Sequence, residues 1–127
     1  MEYLFLLSRI LFGGYFLWNG YKHFKHTANL AGYAASKKVP SPQLMVRLSG
    51  ALLLIGGVGI VLGAAVGLAV SALVAFLIPV TFMMHDYWKE TDPVQRAHQQ
   101  IAFAKNIALL GAAFAYLFIP GPWFLAI

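Results

Sequence analysis

The sequence predicts an all-α integral membrane protein, a four-helix bundle with a short interfacial helix between helices 1 and 2. Of its 127 residues, 61% are hydrophobic and only 10% are charged, whereas soluble domains average about 25% charged residues. Residues 48–84 contain no Asp, Glu, Lys, Arg or His. One membrane span takes about 20 apolar residues, so this run has the length of two. Glycines at its centre, Gly63 and Gly67, allow the tight turn of a transmembrane helical hairpin.

Two further apolar segments flank this hairpin, so a single domain of four spans is expected to cover residues 1–127. The first segment contains Arg9 and is preceded by the acidic Glu2, so it is expected to be a retained span and not a signal peptide. Trp123 and Phe124 follow the last segment and suit an interfacial anchor. The predicted spans are approximately 3–22, 43–63, 67–85 and 100–119.

Residues 27–38 are too polar and too few to cross a bilayer. Their apolar side chains fall on one helical face, which predicts a short helix lying in the membrane interface, with Thr27 as its N-cap. The Val39-Pro40 pair ends this helix. Ser41 as N-cap and Pro42 as the first helical residue then begin the second span.

Small residues line one face of the second span. Gly56, Gly57 and Gly59 lie close together, and Gly59 forms a GxxxG pair with Gly63. Such faces allow helix backbones to approach closely inside a membrane. Packing within the bundle is the main interpretation, and a homodimer contact is the alternative.

The basic residues predict the orientation of the chain. Arg9 alone lies near one side of the membrane, and the other eight Lys and Arg residues flank the two connections on the opposite side. Since positive charge marks the cytoplasmic side, both chain ends are expected outside. The net charge of +5 therefore indicates lipid headgroups as partners and not nucleic acid. The eight residues are Lys22, Lys25, Lys37, Lys38, Arg47, Lys89, Arg96 and Lys105.

This topology gathers polar residues from all four spans at one membrane boundary. Ionisable groups there are costly unless they are paired, and Asp86 is the expected counter-ion of Lys105 or Arg47. One interpretation is that these side chains simply reach the headgroups. The other is a pocket for a quinone ring or a lipid phosphate, with His85 and Lys105 as hydrogen-bond donors and Trp88 as an apolar wall. The candidate residues are Asn19, Lys22, His23, Arg47, His85, Asp86, Trp88, Lys105 and Asn106.

Other kinds of chemistry find little support in the sequence. No cysteine is present, which excludes thiolate metal sites and iron–sulfur clusters carried by this chain alone. No metal site is predicted, and a bis-histidine haem is disfavoured because only His23 and His85 could face each other. No catalytic residue is assigned, because P-loop, dinucleotide-binding, HExxH and GxSxG motifs are absent. Arg9 lies about two turns inside the first span; it either reaches outward to the headgroups or bonds to carbonyls of neighbouring helices.

An ordered set of short motifs resembles the DoxX family along essentially the whole chain. The resemblance implies a small four-helix protein of the bacterial inner membrane, in a family associated with redox systems such as thiosulfate:quinone oxidoreductase. Many relatives carry a Glu shortly before the paired glycines of helix 2, where this chain has Leu53 or an equally apolar neighbour. The motifs are Arg9 with Gly13, residues 19–22 (Asn-Gly-Tyr-Lys), residues 39–42 (Val-Pro-Ser-Pro), residues 55–57 (Ile-Gly-Gly), residues 85–88 (His-Asp-Tyr-Trp) and residues 103–111.

Two functions are therefore expected as alternatives. The first is an accessory or quinone-interacting membrane subunit of a redox complex, in which a partner protein supplies the electrons. The second is a non-enzymatic membrane scaffold or lipid-binding protein. A small-molecule transporter is less well supported, because no acidic residue lies in the middle of a span.

Overall fold

The structure, a computed structural model, describes all residues from Met1 to Ile127 and contains only helices and turns. The prediction of an all-α fold is confirmed. Four long helices and one short helix follow each other, and a 3₁₀ turn at Tyr87–Lys89 precedes the last. The helices are α1 (Glu2–Lys25), α2 (Thr27–Ser36), α3 (Pro42–Leu62), α4 (Val66–Met84) and α5 (Pro93–Tyr116).

The long helices pack in the order α1, α3, α4, α5, and the short α2 packs on α3 and α1. At the end of the molecule near the chain termini, α1 and α5 meet through side chains. Ser8 Oγ lies 2.7 Å from the Tyr116 hydroxyl, and the ring of Phe12 lies 5.1 Å from that of Tyr116. The connections α1–α3 and α4–α5 both lie at the opposite end, where Lys37 contacts Asp86.

The central apolar run forms two consecutive helices joined by a tight turn. Two helical stretches, Pro42–Leu62 and Val66–Lys89, are long and apolar enough to cross a membrane, with mean hydropathies of 2.1 and 2.3. Gly63 ends α3 with φ of +68°, in the left-handed region that glycine adopts without steric cost. Gly63 thus serves as a helix cap, and it also lies in a close contact, because a Cβ added there would lie 2.9 Å from that of Ala126.

The other glycines of α3 are used for packing inside the chain, as predicted. A Cβ added to Gly57 would lie 2.8 Å from the carbonyl oxygen of Gly13 on α1. A Cβ on Gly59 would lie 2.4 Å from that of Ala69 on α4. Both contacts are shorter than van der Waals separation, so the close approach of α3 to its two neighbours requires glycine.

Arg9 takes the inward of its two predicted positions. Its side chain is fully buried and donates to the carbonyls of Ile60 and Val61 at 3.2 and 2.8 Å, and to that of Phe124. The last carbonyls of a helix have no partner within it, and a cation is favourable at that end of the helix dipole. Arg9 therefore caps α3 from the side and joins it to the C-terminal tail.

Several predicted details of the helix ends are wrong. Thr27 is not an N-cap, since its hydroxyl donates back to the carbonyl of His23 at 2.7 Å. Ser41 and Pro42 do occupy the predicted N-cap and first helical positions of α3, but the Ser41 side chain makes no capping hydrogen bond. The tail folds back, so Trp123 is only 8% exposed and packs edge-to-face on Phe5 instead of forming an interfacial anchor.

α5 begins at Pro93, because the side chain of Asp92 accepts from the Gln95 amide at 3.0 Å and caps the helix.

Candidate functional site

A cavity of about 460 Å³ lies at the end of the molecule where the two connections meet. All five helices contribute to its wall, and fifteen of its 23 lining residues are hydrophobic. Small-molecule sites have this character, being mostly apolar with a few polar groups that orient the ligand. The volume falls within their usual range of about 300–1,000 Å³.

Five of the nine candidate residues from the sequence line this cavity. None of these five side chains is acidic, and no Asp or Glu lies elsewhere in the wall. The histidines and the asparagines can both donate and accept hydrogen bonds, whereas the lysine only donates. The wall is therefore mostly apolar, with these five polar side chains and the hydroxyl groups of Tyr15, Tyr33 and Ser49. These five residues are Asn19, His23, His85, Lys105 and Asn106.

Asn106 is the polar residue of the wall that most clearly lacks a partner within the chain. It lies on α5 and is only 5% exposed, yet its carboxamide makes no hydrogen bond to another group of the protein. Its polar atoms are not sealed off, since no buried side-chain nitrogen or oxygen without a partner is found. The Asn106 amide thus borders the cavity, and its hydrogen-bonding capacity is available to a molecule that occupies the cavity.

His23 is held by its own helix. Its Nδ1 lies 2.7 Å from the backbone carbonyl of Asn19, one turn earlier on α1. The ring packs edge-to-face against Phe76 of α4, with 5.7 Å between ring centroids. Because Nδ1 is engaged by the carbonyl, Nε2 is the ring nitrogen that is left for a ligand.

His85 is held by a chain of hydrogen bonds that crosses three elements. Its Nδ1 lies 2.7 Å from Oε1 of Gln99 on α5, and Nε2 of Gln99 donates to the Tyr33 hydroxyl of α2 at 2.7 Å. The Tyr33 hydroxyl donates in turn to the carbonyl of Met84 at 2.8 Å. Tyr33 and His85 both line the cavity, so this chain joins its wall to α2.

Asp86 pairs with Lys37, and the prediction that it pairs with Lys105 or Arg47 is wrong. Lys37 Nζ lies 2.6 Å from Asp86 Oδ1 and 3.5 Å from Glu90 Oε1. The side chains of Lys37 and Asp86 are only 15% and 9% exposed. The hydrogen bond from Lys37 to Asp86 raises the pKa of Lys37. The ion pair connects the end of α2 to the segment after α4. It thereby holds α2 in place as part of the cavity wall.

Lys105 lies at the edge of the cavity between α1 and α5. It is exposed and lines the cavity, and its Nζ lies 5.5 Å from the centre of the Tyr15 ring on α1. Tyr15 also lines the cavity and is 36% exposed. The two side chains therefore form an exposed part of the cavity wall between α1 and α5, and a cation–π contact holds them together.

Four candidate residues lie outside the cavity. Besides Asp86, these are Lys22, whose Nζ lies 5.9 Å above the Trp18 ring on the outer face of α1, and Arg47, which is exposed on α3. Trp88 is 46% exposed and packs on Phe103, so it forms no wall of the cavity. Helical periodicity explains the difference, because residues near a helix end point in all directions and only one face turns inward.

Sequence reasoning missed three residues that build the site. Tyr33 and Gln99 make the hydrogen-bond chain to His85, and Lys37 makes the ion pair. The only signal for Tyr33 was its place on the apolar face of the interfacial helix. Gln99 carried no signal, because a polar residue in a polar connection is expected to be solvated. No group of three or more His, Cys, Asp or Glu side chains is placed to hold a metal ion.

One comparison with known proteins gives a match, and this match covers the first four helices. The model of the DoxX family matches residues 4–86, which is more than half of the chain and ends at the partner of Lys37. Neither a curated protein nor a solved structure matches. The match contains the α1–α3 contact, the apolar hairpin and most of the cavity wall, and leaves α5 outside. On this match the chain belongs to the DoxX family of membrane proteins.

Proposed function

We propose that this protein binds a quinone in the cavity and acts as an accessory, quinone-interacting membrane subunit of a redox complex. The observation that carries the proposal is the Asn106 carboxamide, which is buried against an apolar cavity without a partner in the protein. The amide atoms of Asn106 remain accessible from the cavity, so they can both donate to and accept from a molecule bound there. A ligand with a carbonyl or hydroxyl group would supply the missing bond.

The shape and chemistry of the cavity suit a quinone ring. The ring is flat and apolar and has oxygen atoms at two edges, and the cavity offers an apolar wall with polar groups at separate places. Asn106 can donate from its amide, and Lys105 can donate from its ammonium group at the edge of the cavity. A quinone supplies two-electron redox chemistry when bound; the residues of this chain bind and orient it.

Tyr15 of α1 and Lys105 of α5 are exposed residues of the cavity wall, which supports entry of the quinone from the lipid between these two helices. We propose four spans, at approximately 3–22, 43–63, 67–85 and 100–119, in the bacterial inner membrane with both chain ends outside. The flank bordered by Tyr15 and Lys105 would then face the bilayer, where quinones reside. Eight of the nine Lys and Arg residues would lie on the cytoplasmic side, in agreement with the positive-inside rule.

The electrons would come from a partner protein. This chain has no cysteine, and the polar groups of the cavity are amides, imidazoles, hydroxyls and one amine, none of which supplies a pair of electrons to a quinone. The proposed division of labour is that the DoxX chain holds the quinone near the membrane surface and a soluble redox protein docks there. Affinity purification from native membranes would identify that partner.

A second candidate function, binding of a phospholipid by a non-enzymatic scaffold, is favoured by the charge at the edge of the cavity. Lys105 has no acidic partner within the chain, and anionic headgroups attract basic residues at the membrane surface. An acyl chain could fill the apolar part of the cavity. The two candidates differ in which small molecule is held most tightly.

Purified protein in nanodiscs of neutral lipid tests both. A quinone with a decyl side chain is titrated in, and lipid that stays with the protein is measured by mass spectrometry. The proposal expects saturable quinone binding that is weakened in Lys105→Met, with Gln100→Leu as the control because Gln100 is an exposed polar residue of the same helix. Retained anionic phospholipid that the quinone does not displace would favour the scaffold instead.

Activity in membranes gives a second test. His85→Ala and Lys105→Ala are expected to lower quinone-dependent oxidoreductase activity without loss of folded protein. If both variants keep full activity, the cavity has no part in the mechanism.

A further inference from the structure

The directions of the hydrogen bonds around His85 follow from one group that can only accept. The backbone carbonyl of Met84 has no hydrogen, so the Tyr33 hydroxyl must donate its single hydrogen to it across 2.8 Å. The Tyr33 oxygen is then an acceptor for its other neighbour, Gln99. The Gln99 amide nitrogen therefore faces Tyr33 at 2.7 Å, because the opposite amide orientation would bring two acceptors together.

This orientation determines the proton position on His85. With its nitrogen towards Tyr33, Gln99 presents its oxygen to Nδ1 of His85 at 2.7 Å. That oxygen can only accept, so Nδ1 carries the hydrogen. A neutral imidazole has one N–H and one lone pair, which leaves the lone pair of His85 on Nε2.

His23 reaches the same state by a separate route. Its Nδ1 lies 2.7 Å from the carbonyl of Asn19, which can only accept, so Nδ1 again carries the hydrogen. Both histidines of the cavity wall thus have Nε2 as their single uncommitted nitrogen. In the neutral form, both of these nitrogens are acceptors.

We infer that the cavity prefers the reduced, hydroxyl-bearing form of its ligand, a hydroquinone with an apolar tail, over the oxidised quinone. This inference rests on the proposed function. The carbonyl oxygens of a quinone can only accept and gain nothing from an acceptor nitrogen, whereas hydroquinone hydroxyls can donate to Nε2. Asn106 suits either form, because its amide both donates and accepts. Gln99 does not line the cavity and is a positioning residue, which acts on the ligand only through the tautomer of His85; Tyr33 supports the same tautomer from within the wall.

Nitrogen-15 NMR of histidine-labelled protein in nanodiscs tests the tautomer without any ligand. At a pH well above the ordinary imidazole pKa of about 6.5, the wild type should show His85 with the hydrogen on Nδ1. Tyr33→Phe and Gln99→Leu should move it towards Nε2, the position that free imidazole side chains prefer in water. Gln99→Glu should keep it on Nδ1, because a carboxylate can only accept. Gln100→Leu is the control and should change nothing.

Binding measured without oxygen tests the ligand. Decyl hydroquinone and decyl quinone are titrated separately into the wild type and the variants. The wild type should bind the hydroquinone more tightly by roughly fivefold, the equivalent of one hydrogen bond of about 1 kcal/mol. Gln99→Leu and Tyr33→Phe should reduce this ratio towards one.

The outcomes separate the inference from the function on which it rests. If the wild type has the His85 hydrogen on Nε2, or binds both forms equally, the inference is wrong although quinone binding stands. If neither form binds, the proposed function is wrong, and the ligand preference falls with it. If the preference survives in Gln99→Leu and Tyr33→Phe, it does not come from the His85 tautomer.

Discussion

Lys37 and Asp86 form an ion pair across two connections that are far apart in the chain, with 2.6 Å between Nζ and Oδ1. The pair is largely shielded from solvent and holds α2 against the segment that follows α4. Together with the hydrogen bonds of Tyr33, it makes the short helix a fixed part of the cavity wall.

Removal of one member of the pair should loosen α2. Lys37→Met leaves the largely buried Asp86 with only the exposed Lys89, 3.9 Å away, as a cation, and breaking a buried ion pair costs up to about 3–5 kcal/mol. The unfolding free energy in detergent should fall by that order, and amide hydrogens of α2 should exchange faster. Lys38→Met is the matched control, since Lys38 is exposed and makes no ion pair. Equal effects of the two substitutions would contradict the assignment.

The ion pair should also withstand alkaline conditions. The pKa of Lys37 is raised by its hydrogen bond to Asp86, so its contribution to stability is complete below its ordinary pKa of 10.5. It is lost only as the pH rises through the higher value of the folded state. Limited proteolysis of the α1–α3 connection should therefore be constant from neutral pH to that ordinary value. A marked rise in cleavage well below it would show that Lys37 is not held by this bond.

Arg9 should not tolerate replacement by lysine. Its guanidinium donates to three carbonyls on two segments, a geometry that the single ammonium of lysine does not reproduce. Arg9→Lys should lower the unfolding free energy by about 2–3 kcal/mol, the scale of one or two lost hydrogen bonds to a charged group. Thermal unfolding in detergent measures the change. Lys22→Arg, an exchange of the same kind at a cation that contacts only the Trp18 ring, should have little effect.

Two adjacent glycines on α1 should respond in opposite ways to alanine. A Cβ on Gly13 would lie 2.8 Å from the Gly57 carbonyl, so Gly13→Ala must separate α1 from α3 and should cost about 1–3 kcal/mol. A Cβ on Gly14 meets nothing within 4 Å, so Gly14→Ala should be neutral or stabilise the helix by up to about 1 kcal/mol. Thermal unfolding of the pair compares them directly. Similar losses for both would mean that α1 and α3 are not in close contact.

Asn106→Leu should separate stability from binding. The carboxamide is buried without a partner, and its replacement by an apolar group of similar shape should leave the unfolding temperature unchanged or raise it. Quinone affinity should nevertheless fall by roughly fivefold, the equivalent of about 1 kcal/mol. A loss of both properties would instead assign Asn106 to the fold.

The local sequence determined the helices of this protein and their apolar character. The run from Leu48 to Met84 has no ionisable residue, and this alone predicts two adjacent apolar helices because no polar connection interrupts it. Gly57 and Gly59 likewise predicted close packing, since small residues permit it whatever their neighbour is. The resemblance of short motifs to the DoxX family was also readable from the chain, and the family match over residues 4–86 confirms it.

Only the tertiary structure decided which polar side chains meet. The sequence placed Asp86 at the same membrane boundary as several basic residues and could not distinguish among them. In the structure it pairs with Lys37, because α2 folds back over the end of α4. Gln99 became a determinant of the site because α5 begins at Pro93, so residue 99 lies on a helix and reaches Tyr33. The physical reason is the same for both. Helical periodicity limits the level and face of a side chain, but the rotation of each helix and the path of its connections depend on packing across the whole chain.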